Sequence, residues 1–267
     1  MKKIIHYCWF GHNELSPLAR KCIESWRKFF PDYEIMEWNE ENFDINCCRY
    51  VREAYMAKKW AFVSDYARFK ILYENGGIYF DTDVEVIKNF EKIVKKGPFM
   101  ACEKIGQVAP GLGIAAPSGL KIYKEILDGY NNRNFIMPDG SYDLSTIVDY
   151  TTKLLSKYGL KEEETIQNIA GITIYPREYF CPMDYVTGKI TLTANTCSIH
   201  HFNASWYTEQ DRYGLKYKRK LSKIMPSKLA SILGTVFSML RYKGFVYTAK
   251  YCLNKVIIKI VEQFKNA

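Results

Sequence analysis

The sequence predicts an α/β protein: a nucleotide-binding domain on a Rossmann-like mixed sheet, extended at its C-terminus by basic helices. Three observations carry this. The chain opens as strand–helix–strand, the usual start of a nucleotide-binding α/β domain. A long helix then runs through a double glycine into a short apolar strand ending in two acids. Beyond residue 206 the pattern becomes helical and strongly basic.

Residues 2–10 (KKIIHYCWF) form the first strand candidate, broken at Gly11. Ser16-Pro17 opens a helix, since Pro at the first helical position lacks only an N–H that would have no partner. Leu18, Cys22, Trp26 and Phe29 recur at helical spacing. Pro31-Asp32 ends that helix, and Tyr33 to Trp38 reads as a second strand. Residues 50–59 are helical, and a longer helix from Ala61 to Glu74 stops at Asn75-Gly76-Gly77. Ile78-Tyr79-Phe80 is a buried strand with Asp81-Thr82-Asp83 at its end, and Val84 to Ile87 resumes extended structure. A Gly/Pro-rich loop is expected over 106–119, helices near 120–130 and 144–158 around a polar loop at 131–142, and strands at 172–175, 189–193 and 196–202.

Composition supports a globular chain: 48% of the 267 residues are hydrophobic and 25% charged. The eight cysteines include no CxxC pair, so reduced, mostly buried thiols are expected and a zinc site is not. Met1-Lys2-Lys3 runs straight into the first strand, and a cytoplasmic location is expected. Charge is uneven. Of the net +9, residues 207–267 carry thirteen Lys/Arg against three acids, leaving residues 1–206 near neutral. A nucleic-acid partner is not expected, because its basic stripe would lie on the body. A domain at 1–206 and a helical extension at 207–267 are therefore expected. In the extension, Leu229 to Leu240 is too short to span a bilayer. Leu253, Ile257, Ile260, Val261 and Phe264 form one face of an amphipathic helix. Binding to an anionic membrane surface is expected of it, with a helical cap on the body as the alternative.

Asp81 and Asp83, one residue apart at the end of a buried strand, can share one hard divalent ion, Mg²⁺ or Mn²⁺. Asp65 and Arg68 lie upstream on one face of the preceding helix, an acid and a guanidinium able to hold sugar hydroxyls. His200-His201-Phe202-Asn203-Ala204-Ser205-Trp206 is a second candidate segment. An imidazole can complete a divalent site, while the Ser205 hydroxyl and Trp206 indole N–H can bind phosphate oxygens. Adjacent residues of an extended segment point to opposite sides, so only one histidine can face the metal, and His201 is the choice. His6 reads as structural. The 106–119 loop lacks the lysine of a phosphate loop and reads as a connector, although its glycines would admit close backbone approach. Asp139, Asp143 and Ser145 mark an acceptor-facing loop.

The run AFVSDYARFKILYENGGIYFDTDVEV closely resembles the Asp-x-Asp sugar-binding region of glycosyltransferase family 32, which includes capsular polysaccharide enzymes and initiating mannosyltransferases and is related to the large clostridial glucosylating toxins. The opening KKIIHYCWFG and the late SIHHFNASW are similar to the family's ends, so the resemblance covers about residues 2–206. It implies a GT-A fold, a nucleoside-diphosphate sugar donor, a divalent metal and retention of anomeric configuration. By position, Trp9 would stack on the base, and Ser64, Asp65 and Arg68 would hold the donor's sugar. Tyr79 and Asp81 would contact ribose or sugar, and Asp83 would ligate the metal. The expected reaction moves a hexose or N-acetylhexosamine from a UDP-sugar, with GDP-mannose as the rival donor, to a saccharide or lipid-linked acceptor in surface polysaccharide synthesis. A nucleotide-sugar hydrolase and a non-catalytic sugar-binding module are the alternatives.

Overall fold

A computed structural model describes the backbone of residues 1–203 and 208–265, and side chains through Asn254. Ser205 and Trp206, and the side chains of Ile257, Ile260, Val261 and Phe264, lie outside the described residues. The chain divides into two compact units, one of residues 1–183 and 190–203, the other of 184–189 and 204–267.

The first unit is the expected α/β domain. Its strands are β1 (Ile4–Cys8), β2 (Glu34–Trp38), β3 (Gly77–Tyr79), β4 (Val84–Val86), β5 (Phe99–Lys104), β6 (Gln107–Val108), β7 (Ile114–Ala116), β8 (Gln167–Ile169), β9 (Ile172–Tyr175) and β10 (Ser198–His200). The main sheet has the order β2-β1-β3-β7-β5-β9-β8, with β6 beside β5. The β1/β2, β1/β3 and β5/β9 pairs are parallel, while β7 runs antiparallel to both β3 and β5. The helices are α1 (Pro17–Phe29), α2 (Arg49–Met56), α3 (Trp60–Asn75), α4 (Glu91–Lys95), α5 (Lys121–Tyr130), α6 (Ile147–Lys157) and α7 (Arg177–Phe180).

Alternation along the strands divides the core between the two faces of the sheet. Ile5, Tyr7, Ile78, Phe80 and Phe99 pack with Cys22, Ile23 and Trp26 of α1. Cys8, Tyr79, Met100 and Ile114 pack on the other face with α2, α3 and α5. The Ser16 hydroxyl caps α1 by accepting from the Ala19 N–H at 3.1 Å. From α1 the Trp26 indole donates to the Val84 carbonyl at 2.8 Å, and the Val86 N–H donates to the Ser25 hydroxyl at 2.9 Å. These bonds fasten β4, which pairs with β10 in a separate antiparallel ribbon.

Three expectations change. The 106–119 stretch is no plain connector: it holds β6, a 3₁₀ turn at Pro110–Leu112 and β7, which inserts into the sheet. Among the described residues, the strand expected at 189–193 reduces to one bridge between Ile190 and Met183. The strand expected at 196–202 shortens to Ser198–His200, ended by the positive φ of 49° at Phe202.

The second unit contains α8 (Glu209–Leu221) and α9 (Ser227–Lys265), the latter broken at Gly244 by a φ of 80°. Thr208 and Asp211 form a reciprocal capping box on α8. Among the described residues no helix is long and apolar enough to cross a membrane.

Candidate functional site

α3 is buried on most sides yet carries Asp65 and Arg68, one turn apart, among Phe62, Val63, Phe69 and Leu72. The helix stops where Gly76 and Gly77 adopt φ values of 67° and 112°. A Cβ at Gly77 would stand 2.7 Å from the Ile4 carbonyl, so only glycine admits β1 so closely. His6 secures this turn. Its Nδ1 accepts from the Trp38 indole at 3.0 Å, leaving Nε2–H to donate to the Gly76 carbonyl at 2.9 Å. Burial lowers the His6 pKa and keeps it neutral. β3 is in register beside β1, so Trp9 and the Asp81–Asp83 turn leave the sheet at the same carboxyl end, where open α/β sheets bind ligands.

Arg68 is the centre of the first half of the site. The residue is 3% exposed, and its guanidinium pairs with Asp65 Oδ1 at 2.9 Å and Asp81 Oδ1 at 3.2 Å. The Tyr79 hydroxyl donates to the same Asp81 oxygen at 3.2 Å, and the guanidinium carbon lies 5.2 Å from the Tyr79 ring centroid. Burial raises the Asp65 carboxyl to about 6 against the pull of Arg68. Burial raises Asp81 as well, with Arg68 opposing and the Asp83 charge adding to the rise.

The second half comes from the β4/β10 ribbon. His200 Nε2 stands 3.1 Å from Asp83 Oδ1, and the Asn203 N–H donates to Asp83 Oδ2 at 2.8 Å. Burial works to raise Asp83, but the His200 charge and these hydrogen bonds overcome it and hold the carboxyl at about 2. His200 is raised well above the ordinary imidazole value by Asp83, against its own burial. Its Nδ1 is buried beside the Cys181 thiol without a well-formed hydrogen bond.

Carboxylate oxygens of Asp81 and Asp83 and a ring nitrogen of His200 lie within 4.8 Å of one another. Two carboxylates and an imidazole, mutually destabilised unless a cation or proton sits among them, fit a divalent ion such as Mg²⁺ or Mn²⁺.

The histidine expectation is corrected. His201 does not reach the carboxylate pair; its Nε2 meets Glu85 Oε2 at 2.8 Å, which also pairs with Lys21 at 2.8 Å. His201 lies one residue past the end of β10, where its ring turns to Glu85, while His200, paired with Val84 in the ribbon, reaches Asp83 in the turn before β4.

Trp9 is half-buried at the end of β1, its indole donating to the Asn13 carbonyl at 2.6 Å. The Ser64 hydroxyl donates to the Trp60 carbonyl at 3.1 Å, and the Ser64 carbonyl accepts from Arg68 Nε at 3.1 Å. Asp143 and Ser145 both hold Arg133, each at 2.7 Å, over the rings of Tyr50, Tyr130 and Tyr150. Asp139 caps its own turn through Ser141.

Sequence reasoning missed Gly111 as part of the site. Its carbonyl accepts from the Asp81 N–H at 3.2 Å, and a Cβ there would stand 2.0 Å from Asp81 Oδ2. The glycine-rich spacing of residues 106–119 hinted at close backbone approach without indicating what is approached.

The chain is similar in part to known proteins. Among solved structures the chain is similar to one described as PaToxG glycosyltransferase, at 19% identity and a TM-score of 0.43, over 58% of this chain and 69% of that one. It is also similar to a glycosyltransferase involved in the glycosylation of the major capsid of PBCV-1, at 11% identity and a TM-score of 0.43, over 83% of this chain and 99% of that one. No curated protein sequence matches it. Residues 16–100 match the family model described as a glycosyltransferase sugar-binding region containing the DXD motif, a stretch that holds Asp65, Arg68, Asp81 and Asp83 and stops short of His200.

Proposed function

We propose that this chain is a metal-dependent glycosyltransferase that moves a hexose or N-acetylhexosamine from a nucleoside-diphosphate sugar to a saccharide acceptor. The observation that carries this reading is the buried Asp65–Arg68–Asp81 network standing beside the Asp83–His200 pair. One cluster holds sugar hydroxyls, and the other is built for a cation.

Arg68 is fixed on three sides by Asp65, Asp81 and the Tyr79 ring, so its donors are preorganised for the donor's hydroxyls. Asp65 accepts from a sugar hydroxyl, as does Asp81, and Ser64 and Trp9 line the donor's sugar and base. Asp83 stays ionised across the working pH range, which suits direct metal ligation, with His200 and Asp81 as further ligands. A bound Mn²⁺ or Mg²⁺ would neutralise charge developing on the leaving diphosphate. Ser205 and Trp206 lie outside the described residues and stay candidates for the phosphate oxygens only through the family resemblance. The acceptor hydroxyl attacks the anomeric carbon, the bond to the diphosphate oxygen breaks, and the proton passes to the leaving phosphate. Attack on the face the phosphate leaves retains configuration and needs no protein nucleophile, and the site assigns no residue to that role.

A UDP-sugar is the favoured donor and GDP-mannose the rival. The acceptor is a saccharide or lipid-linked saccharide, in surface polysaccharide synthesis. A panel of nucleotide sugars with Mn²⁺, read as nucleoside diphosphate released with and without saccharide acceptors, tests the reading. Asp83→Asn should lose metal-dependent turnover while the chain stays folded, at a stability cost of about 1–3 kcal/mol from leaving His200 without its charged partner. Near-normal turnover in that variant, or full-rate release of free sugar without acceptor, would defeat the proposal.

A further inference from the structure

We infer that the C-terminal unit docks on an anionic bilayer surface, with Phe245, Val246 and Tyr247 entering the headgroup layer and Arg241, Lys243 and Lys250 meeting lipid phosphates. The reasoning starts from the two faces of α9. Ala230, Gly234 and Ser238, spaced by four, form its buried face. There the Ser238 hydroxyl donates to the Gln210 carbonyl at 2.7 Å, and Gly234 lies against the Gly214 carbonyl and Lys218 of α8. These small side chains allow close packing of the two helices. The large apolar groups point elsewhere. Leu229, Ile232 and Leu240 recur on a different face and are exposed, Ile232 by 60%.

At Gly244 the helix breaks, and the next three side chains are all large and uncovered: Phe245 is 76% exposed, Val246 79% and Tyr247 51%. Single exposed apolar residues are ordinary; a contiguous run beside an exposed apolar face marks an interaction surface. Arg241, Lys243 and Lys250 bracket the run and are themselves exposed. Residues 207–267 carry thirteen basic residues against three acidic ones.

That combination selects the occupant. A nucleic acid offers phosphates but nothing for Val246 and Ile232. An anionic bilayer offers both phosphates and an acyl boundary, at the depth where aromatic rings prefer to sit. No described helix is apolar enough to cross, so the unit lies on the surface rather than spanning it. The inference rests on the proposed function only for its purpose, which is to bring the donor site to a lipid-linked acceptor; vesicle binding itself needs no turnover.

The test uses the full chain, sedimented with vesicles of phosphatidylcholine containing a minority of phosphatidylglycerol and with pure phosphatidylcholine vesicles. Binding should require the anionic lipid and fall with rising salt. Phe245→Ser/Val246→Ser should weaken it about tenfold, as expected from losing two partly inserted apolar side chains. Arg241→Glu/Lys243→Glu/Lys250→Glu should abolish it. Both variants should keep wild-type turnover of a soluble acceptor. Absence of vesicle binding, equal binding to the neutral vesicles, or binding unmoved by both variants overturns the inference. So does a dimer in sedimentation equilibrium that Phe245→Ser/Val246→Ser dissolves while vesicles bind neither form, which would make a second copy the occupant. Vesicle binding without any donor turnover would instead strike the glycosyltransferase reading alone.

Discussion

Replacing Gly111 by alanine adds one methyl group against Asp81, in the proposed donor site. The new Cβ would stand 2.0 Å from Asp81 Oδ2, where ordinary contact begins at 3.4 Å, so the carboxylate must retreat by about 1.4 Å. The backbones cannot slide apart cheaply, because the Asp81 N–H is bonded to the Gly111 carbonyl at 3.2 Å. The side chain cannot turn freely either, since Arg68 and the Tyr79 hydroxyl hold its other oxygen, each at 3.2 Å. Retreat breaks one or both of those contacts. Misplacement of a positioning group by about 1 Å commonly costs about 10²-fold in rate, and that is the loss expected in kcat/KM for the donor. Overpacking should cost about 1–3 kcal/mol of stability. Turnover is read as nucleoside diphosphate released with Mn²⁺, and stability by urea denaturation with a check that the slope is unchanged. The same substitution in an Asp81→Ala background separates this cause from a general backbone effect: the stability cost should disappear once the carboxylate is gone. Wild-type kcat/KM and stability for Gly111→Ala, or a cost that persists without Asp81, would refute the reasoning.

Other consequences follow from the same geometry. Burial raises Asp65 from 3.8 to about 6, so the folded state holds its proton more tightly than the unfolded chain does. Its stabilising contribution is complete below pH 3.8 and is lost as pH rises to about 6; relative to Asp65→Asn, wild-type stability should fall by up to about 3 kcal/mol across that window in urea titrations. A flat difference curve would mean that Arg68 keeps the carboxyl ionised throughout. His200→Ala should weaken Mn²⁺ binding, measured calorimetrically, by at least about tenfold. His201→Ala should leave it within a few-fold, since its imidazole faces Glu85; the reverse order would return the metal to His201.

The first third of the chain is legible because its signals are local. A Ser-Pro cap, helical spacing of Cys22 and Trp26, and the double glycine after α3 each announce themselves within a few residues. The Asp65–Arg68 pair and the two acids after β3 stand out for the same reason, as charges on otherwise apolar elements. β7 shows the opposite case. Ile114–Ala116 sits in a stretch broken by glycine and proline, and only pairing with Gly77–Tyr79 and Phe99 makes it a strand. Its neighbour Gly111 meets Asp81 only because of that insertion. For the histidines, alternation dictated that one of two would face inward. Which one depends on the turn that carries Asp83 ahead of β4, more than a hundred residues earlier, and no local pattern carries that.

The β4/β10 ribbon gives the two halves of the site different histories as the chain emerges. Asp65, Arg68 and Asp81 lie within one short segment, and their contacts can form as soon as α3 and β3 pack. The grip on Asp83 closes a loop of 120 residues, since the Asn203 N–H and the neighbouring His200 arrive only with β10. Loops of that length close late, after local contacts have formed. A nascent or C-terminally shortened chain is expected to hold the Asp65–Arg68–Asp81 contacts before the Asp83–His200 pair exists, so in the proposed reading the groups assigned to sugar hydroxyls would form before those assigned to the cation.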